Sequence, residues 1–510
     1  MNYEQMLKTG RPDELKLKSQ YSKLDNERET INSRNEQYAG WTLPSLFPKD
    51  EEDETAEVQY DYQSLGAQLV NSLANKVVKT LFHPARPFFK VDLTGKQRAE
   101  QISARGSEAQ LDKELAALER KGLKSFNKTN SLTEYVKAAK LAIVTGEALI
   151  QSNEATNDKT IHSQRNYVVE RDRVGGTVRC IIREKKRLTS LPRRIQRVAK
   201  AELSNAQPDT LVDLYTGIIR VGKYYYVWQE VEDSAAIGLP GRYSKATLPF
   251  KFMVWDWMKG RTYAIGLVEH NAGDFNSLSR LAAAIDDYTI IATDLKILVN
   301  PSGQTDIGAI NKAASGAAVP GLKDDISILK YEVAQVAEFL QWRYEGLQRT
   351  LGAQFLMSSA TTRDAERVTA EEIRRNAMEL ENMHGGIYSR WAIQIQHPEA
   401  RAILRMMSDK LAQIDVTILT GLDSLSRATE LDNMRAYILD LAQLASLPKE
   451  VLIRTKIESI MAILGAGHSV DYDKFMRNEQ ETREEEERLM KQQADMANMG
   501  VKPTAQPTGQ

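Results

Sequence analysis

Residues Asp274 to Leu298 read DFNSLSRLAAAIDDYTIIATDLKIL, and Val333 to Leu351 read VAQVAEFLQWRYEGLQRTL. In the first, Leu278, Leu281, Ala282, Ile285, Tyr288, Ala292 and Leu295 fall on one stripe at helical spacing; in the second, Val336, Leu340, Tyr344, Leu347 and Leu351 do the same. Two helices are predicted, the first roughly 37 Å long at 1.5 Å per residue. Between them lies a short segment that opens on Asn300-Pro301-Ser302-Gly303, is rich in Gly, Ala, Ser and Asp, and closes on the strand-like Ile326-Ser327-Ile328-Leu329. By themselves these features describe a helical hairpin with a long tip, a unit common in α-rich proteins.

Downstream, Ser358 to Asp364 is polar and without apolar periodicity, which reads as a loop. A complete helix-start signal follows. Thr369 fits the N-cap, Glu372 can reach back to the Thr369 N–H to close a capping box, and Val368 and Ile373 occupy the two staple positions. A pinned helix launched from a loop is a common structural device, and taken alone this one reads as structural. The helix is predicted from Ala370 to about Gln396, where His397-Pro398 breaks it. Gly385 and Gly386 lie in its middle at a cost of about 2 kcal/mol relative to alanine. They imply a kink, a close backbone contact, or an end to the helix. The chain stays helical in pattern to about Ala466, and from Arg477 onward passes through a charge block into Pro, Gln and Gly, the composition of a disordered tail.

Upstream, residues 1–38 read as a charged helix, and Trp41 to Pro48 as an aromatic arm whose two prolines prevent a regular element. Glu51 to Glu57 is an acidic run, either a solvated loop or a docking site. Tyr62 to Phe82 carries Leu65, Leu69, Leu73, Val77 and Leu81 at i+4 spacing, an amphipathic helix ended by His83-Pro84. A helical pair covers roughly 98–122 and 131–148. From about Tyr167 to Trp257, β-branched and aromatic clusters punctuated by Gly175-Gly176 and Gly222 predict hairpins.

The composition is that of a soluble protein of roughly two to four globular units, with 42% hydrophobic and 27% charged residues and a net charge of −1. Near-neutrality excludes a general electrostatic glue for nucleic acid but not a channel through which DNA slides, since each neutralised phosphate adds affinity and drag. Cys180 is the single cysteine, so no intrachain disulfide framework exists, and its apolar neighbours predict a buried small hydrophobe. No secretory signal and no apolar run of about 18 residues is found; the longest candidate is broken by Asp286 and Asp287. Synthesis in the cytoplasm and no membrane partner are expected.

No P-loop and no His-Glu-x-x-His is present, and His83, His162, His270, His384, His397 and His468 are scattered. No catalytic, cofactor-binding or metal-ligating residue is assigned. From Ile161 to Lys200 there are 12 Lys/Arg and 3 Asp/Glu, a local charge of +9. This is either a solvated β-rich surface or a face for DNA or a protein partner.

Several further blocks stand in a fixed order: Trp41-Thr42-Leu43-Pro44-Ser45-Leu46-Phe47-Pro48-Lys49-Asp50, Leu65-Gly66-Ala67, Leu73-Ala74-Asn75-Lys76, Leu81-Phe82-His83-Pro84, the capping box, Glu379-Leu380-Glu381, Gly385-Gly386-Ile387-Tyr388-Ser389, Thr420-Gly421-Leu422-Asp423-Ser424-Leu425-Ser426-Arg427 and Leu431-Asp432. The ordered set resembles the portal proteins, or head-to-tail connectors, of short-tailed double-stranded DNA bacteriophages (podoviruses, autographivirus-like), over about Tyr38 to Asp471. Between about 155 and 260 the chain departs from the family pattern.

The resemblance implies a mainly α fold with a small β-rich subdomain (α+β) and a wing, stem, clip and crown architecture in a ring oligomer. The implied parts are an N-terminal wing part (1–262, with the β-rich segment at about 167–257), stem helix 1 (263–298), clip (299–332), stem helix 2 (333–357), tunnel loop (358–368), wing helices (369–429), crown helices (430–476) and tail (477–510). Arg363 and Arg367 would then project into a DNA channel. It further implies a homododecamer at the capsid vertex of the virion, double-stranded DNA in transient, non-specific contact, and terminase, scaffolding protein, major capsid protein and a tail adaptor protein as partners. The rival readings are a DNA-processing enzyme subunit such as a nuclease or motor, which the missing motifs disfavour, and a monomeric helical scaffold or adaptor.

Overall fold

The computed structural model describes residues 16–48, 60–93, 101, 103, 108–202, 207, 209–232, 234, 237, 240–293, 296–303, 305–314, 317–329, 334–357, 379, 381–383, 386–407, 415–418, 437–440, 488, 490 and 491. The chain divides into two units, Met1–Gly421 and Leu422–Gln510. The architecture below belongs to the first; in the second, residues 437–440 are helical.

The charged N-terminal segment forms two helices, α1 (Leu17–Glu27) and α2 (Glu29–Gly40), rather than one. The break falls at Arg28, which is buried. Its guanidinium donates to the carbonyls of Gln164, Tyr167 and Arg165, the last two at 2.6 and 3.0 Å, and pairs with Asp25 at 2.8 Å. A buried arginine satisfied by three carbonyls holds the elbow against the rest of the molecule. The Trp41–Pro48 arm has only a 3₁₀ turn at Pro44–Leu46.

Helix α3 (Leu65–Leu81) buries the whole predicted leucine stripe and ends before His83-Pro84, as the spacing required. After strand β1 (Phe89–Asp92) come α4 (Glu108–Phe126) and α5 (Ser131–Thr145). Phe82, Phe126 and Tyr135 stack face to face between α3, α4 and α5, with Phe82 and Tyr135 4.8 Å apart.

The β-rich region begins at Glu147, some twenty residues earlier than the sequence pattern suggested. Gly146 is the reason. It holds φ +97°, and a Cβ there would stand 2.4 Å from the Ala264 carbonyl oxygen. Only glycine allows the helix to turn this tightly into a strand. Strands β2 (Glu147–Ser152), β3 (Lys159–His162), β4 (Tyr167–Arg171), β5 (Thr177–Arg187), β6 (Leu211–Val221), β7 (Tyr224–Val231), β8 (Gly241–Ser244) and β9 (Phe250–Val254) form two antiparallel sheets, ordered β4-β5-β6-β7-β8 and β3-β2-β9. Gly175 and Gly222, both at positive φ, make the β4–β5 and β6–β7 turns that the sequence placed there. Cys180 is buried between the sheets, and burial pushes its thiol pKa up.

One helix inside this region was not foreseen: α6 (Arg193–Glu202) buries Ile195 and Ala199 against Val212, Leu214 and Val231. Its signal was present, since Pro192 opens the first turn and the two apolar residues stand at i, i+4. The remaining elements are α7 (Leu267–His270), α8 (Ala272–Thr293), β10 (Lys296–Val299), α9 (Ile307–Lys312), β11 (Ile326–Leu329), α10 (Ala334–Gln354), α11 (Ile387–Trp391), a π turn (Ala392–Gln396), α12 (His397–Met407) and β12 (Asp415–Ile418), which pairs with β1. The fold is therefore helical with antiparallel sheets.

Of the readings left open for the mid-helix glycines, an end to the helix holds at Gly386, which sits at φ +87° and starts α11; Glu381 accepts from Ser389 N and Oγ at 3.2 and 2.6 Å. One expectation about this helix is corrected. His397-Pro398 does not end the helix. The i→i+5 turn at Ala392–Gln396 widens the backbone just ahead of Pro398, whose missing N–H is then needed by no carbonyl of a regular α turn.

Glu399 is fully buried on α12. It accepts from Tyr135 Oη and Asn157 Nδ2, both at 2.7 Å, and pairs with the equally buried Lys159 at 2.9 Å. Burial alone would raise its carboxyl pKa. The charges of Lys159 and Lys251 and the bonds from Tyr135 and Lys159 outweigh that and hold it below its ordinary value. This node ties α12 to α5 and to the β2–β3 turn.

Candidate assembly and channel surface

The helical hairpin of α8 and α10 is packed at its base. Phe275 and Leu278 of α8 and Leu347 and Leu351 of α10 are buried in the main core, with Phe355 just beyond. The rings of Phe275 and Phe355 meet edge to face at 5.7 Å, and Ser279 Oγ donates to Asp61 at 2.6 Å. Toward the tip the burial runs out. Ile290 is 65% exposed, Val336 38%, Phe339 60% and Trp342 66%, with the Phe339 and Trp342 rings 6.2 Å apart. The predicted stripe thus passes from buried at its base to half-buried at Ile285, Tyr288, Leu340 and Tyr344, with Val336 exposed, and Ile290 lies off it. Phe339 and Trp342 lie off that stripe; their i, i+3 spacing was a legible sign of a second apolar face on α10.

The first helix of the hairpin is shorter than predicted. Residues 296–299 leave the helix and pair antiparallel with Ile326–Leu329, the register running from Lys296↔Leu329 to Val299↔Ile326. The tip is ordered about Asp325, which takes a hydrogen bond from Thr305 Oγ1 at 2.8 Å, while Thr305 in turn accepts from Leu322 N. Asp306 caps α9 through Gly308 N at 2.8 Å. A two-stranded ribbon closed by buried side-chain bonds is a rigid end for a hairpin.

Arg363, Arg367, Thr369 and Glu372 all lie outside the described residues. The chain on either side of them is tied down. Before them, α10 ends with Leu356 at φ +52° and Met357 N bonded to Gly352 O at 2.8 Å, with Phe355 and Leu356 in the core. After them, Glu379 pairs with Lys76 of α3 at 2.7 Å.

The +9 segment resolves into two parts. Its strand and turn cations are largely neutralised: Arg165 by Glu36, Arg171 by Glu147 (2.7 Å), Arg179 by Glu170 (3.7 Å) and Arg183 by Asp213 (2.9 Å). Arg193, Arg194, Arg197 and Lys200 on α6 are exposed with no ion-pair partner among the described residues. Three of the neutralising acids come from outside the segment, so charge counting along the sequence overstated the field. Among the described residues no cluster of His, Cys, Asp and Glu could hold a metal, and no helix is long and apolar enough to cross a membrane.

A hairpin whose base is packed and whose far half keeps its apolar side chains in solvent is the geometry of a subunit built for assembly. The family described as bacteriophage head to tail connecting protein matches residues 14–475. The portal protein of Pseudomonas phage phiKMV is 30% identical over 478 residues, 91% of this chain and 92% of that one. The portal protein of Escherichia phage T7 is 28% identical, covering 88% and 87%. Among solved structures, a chain titled as the neck of an empty GTA particle aligns at 10% identity and TM-score 0.36, over 73% of this chain and 86% of that one; so low a likeness supports no argument. The chain belongs to the bacteriophage head to tail connecting protein family. It functions as a portal protein, a structural and non-enzymatic component of the phage virion at the capsid vertex.

Proposed function

We propose that copies of this chain close into a ring around a DNA channel, with twelve subunits as the family number. Helices α8 and α10 form the stem wall, the ribbon-tipped segment 299–332 is the clip, and residues 1–262 with 369–429 form the wing. The crown is assigned to 430–476. The observation that carries this reading is the exposure of Ile290, Phe339 and Trp342 on a hairpin whose base is closely packed. In a head-to-tail ring each subunit offers one face of the hairpin and receives the other, which covers those side chains. The ring nucleates head assembly with scaffolding and major capsid protein, docks terminase at the clip during packaging, and then takes a tail adaptor protein. The 358–368 loop, with Arg363 and Arg367, forms a constriction that touches phosphates weakly as DNA passes.

Mass photometry with negative-stain imaging of the purified protein tests the core of this. Rings of about twelve subunits with a central hole are expected. A single-subunit mass at every concentration, persisting when scaffolding protein is added, overturns it.

A further inference from the structure

Between the β4–β8 sheet and the α11–α12 segment lies a cavity of about 950 Å³. It borders a second of about 400 Å³, the two sharing Leu248, Lys251 and Pro398. Neither α8 nor α10 contributes to the lining of this cleft. Seven Lys and Arg side chains line the larger cavity and no Asp or Glu does. Three of the cations are held by carboxylates outside that lining, Arg171 by Glu147 at 2.7 Å, Arg220 by Asp172 at 2.8 Å and Arg390 by Asp256 at 3.4 Å. Lys223 and Lys245 are exposed, with no ion-pair partner among the described residues.

Most of the remaining lining is apolar, with Phe250, Phe252 and Val254 of β9 prominent beside the polar Thr177, Gln394 and His397. Ile393 lines the same cleft and is 74% exposed. It belongs to the π turn, which sends Ala392 and Ile395 into the core and leaves Ile393 out. Single π turns inside α-helices are frequent at binding sites.

We infer that this cleft docks an acidic segment of a partner protein, anchored by an apolar side chain against Ile393 and held by the cations around it. Charge complementarity and the apolar bed together select that occupant. The outer surface of a DNA duplex offers phosphates but no apolar group to cover Ile393 and Phe252. A backbone cradle for phosphate needs unpaired N–H groups, and the adjacent glycine turn has none to offer; a phosphate held by the cations alone would leave Ile393 and Phe252 uncovered. The amides of Val174 and Gly176 already donate to Asp172 Oδ1 at 3.0 and 2.7 Å, and that of Gly175 to the Asp172 carbonyl at 3.0 Å. The inference extends the portal reading by one partner class, but its test does not require a ring.

The test uses the purified full-length protein and a fluorescent probe peptide of alternating Glu and Leu with a central Trp. Control probes carry Lys in place of Glu, or are a short DNA duplex. Anisotropy should show the acidic peptide binding and the Lys peptide not. Affinity should fall at least tenfold in Lys223→Glu/Lys245→Glu and, separately, in Ile393→Ser. All three positions are exposed, so melting curves should be unchanged and any loss of binding read as loss of the site. The inference is overturned if the peptide fails to bind, if both variants bind as well as the parent, or if the duplex displaces the peptide. It is equally overturned if self-association of the chain occludes the cleft, which would assign it to a second copy.

Discussion

The Glu399 node and the far half of the α8–α10 hairpin are opposites. At the node, every polar atom of a buried carboxylate finds a partner within 2.9 Å and nothing is left for a second molecule to do. On the hairpin, Phe339 and Trp342 stand in solvent, with each other as ring neighbours. One region stores the stability of the subunit and the other withholds apolar surface from it. The difference teaches where to look for assembly in a single chain: at large apolar side chains that helical spacing leaves off the core stripe.

The sharpest way to break the comparison is to damage the node. Glu399→Ala leaves Lys159 buried and uncompensated, which should cost about 3–5 kcal/mol in chemical denaturation. Glu399→Gln keeps one acceptor oxygen for Tyr135 or Asn157, turns an NH2 toward the other and leaves Lys159 without its counter-charge, so most of the loss should remain. The parent protein should also show an acid limb that the Gln variant lacks. Because the folded-state carboxyl is held below its ordinary value, its contribution is full above about pH 4.5 and is lost as pH falls through the depressed value. A Gln variant as stable as the parent across that range would deny the node its role.

A smaller effect of opposite sign is expected beside it. Lys251 gives the cluster a second cation for one carboxylate, and burial lowers its pKa to about 8 against the ordinary 10.5. The unfolded chain therefore holds this proton up to higher pH than the folded one does, so stability should rise with pH between about 8 and 10. Lys251→Met should stabilise the protein at pH 7 by about 1–3 kcal/mol and remove that rise. Thermal melts at pH 7 and 10 measure both. An unchanged rise in the Met variant would place the titrating group elsewhere.

Much of this contrast was legible in the sequence. The leucine stripe of α3, the glycine turns of the large sheet and the paired hairpin helices all follow from local period and turn chemistry. What escaped notice depended on contacts distant in the chain. Arg28 reads as one more charge in a charged helix until the carbonyls of Gln164, Arg165 and Tyr167 surround it. Glu399 and Lys159 are 240 residues apart, so neither announces the other. The π turn that carries the chain through His397-Pro398 is a backbone adjustment, and local preference for a break at proline pointed the other way. For the channel, Arg363 and Arg367 rest on the family resemblance alone, whereas Phe339 and Trp342 could have been picked out from helical spacing.

The finest test acts on the open half of the comparison and should barely touch the subunit. Phe339→Ser with Trp342→Ser removes two rings that the isolated chain leaves 60% and 66% exposed. Surface changes of this kind stay within about 0.5 kcal/mol, so the denaturation midpoint of the single subunit should hold. Assembly should not. Aromatic side chains dominate the energetics of protein interfaces, and a ring multiplies each loss by the number of identical contacts. Mass photometry of the double variant should then find single subunits where the parent forms rings. If the rings persist, these two side chains face the channel or a later partner, and the surface that closes the ring must be sought on α8 around Ile290 instead.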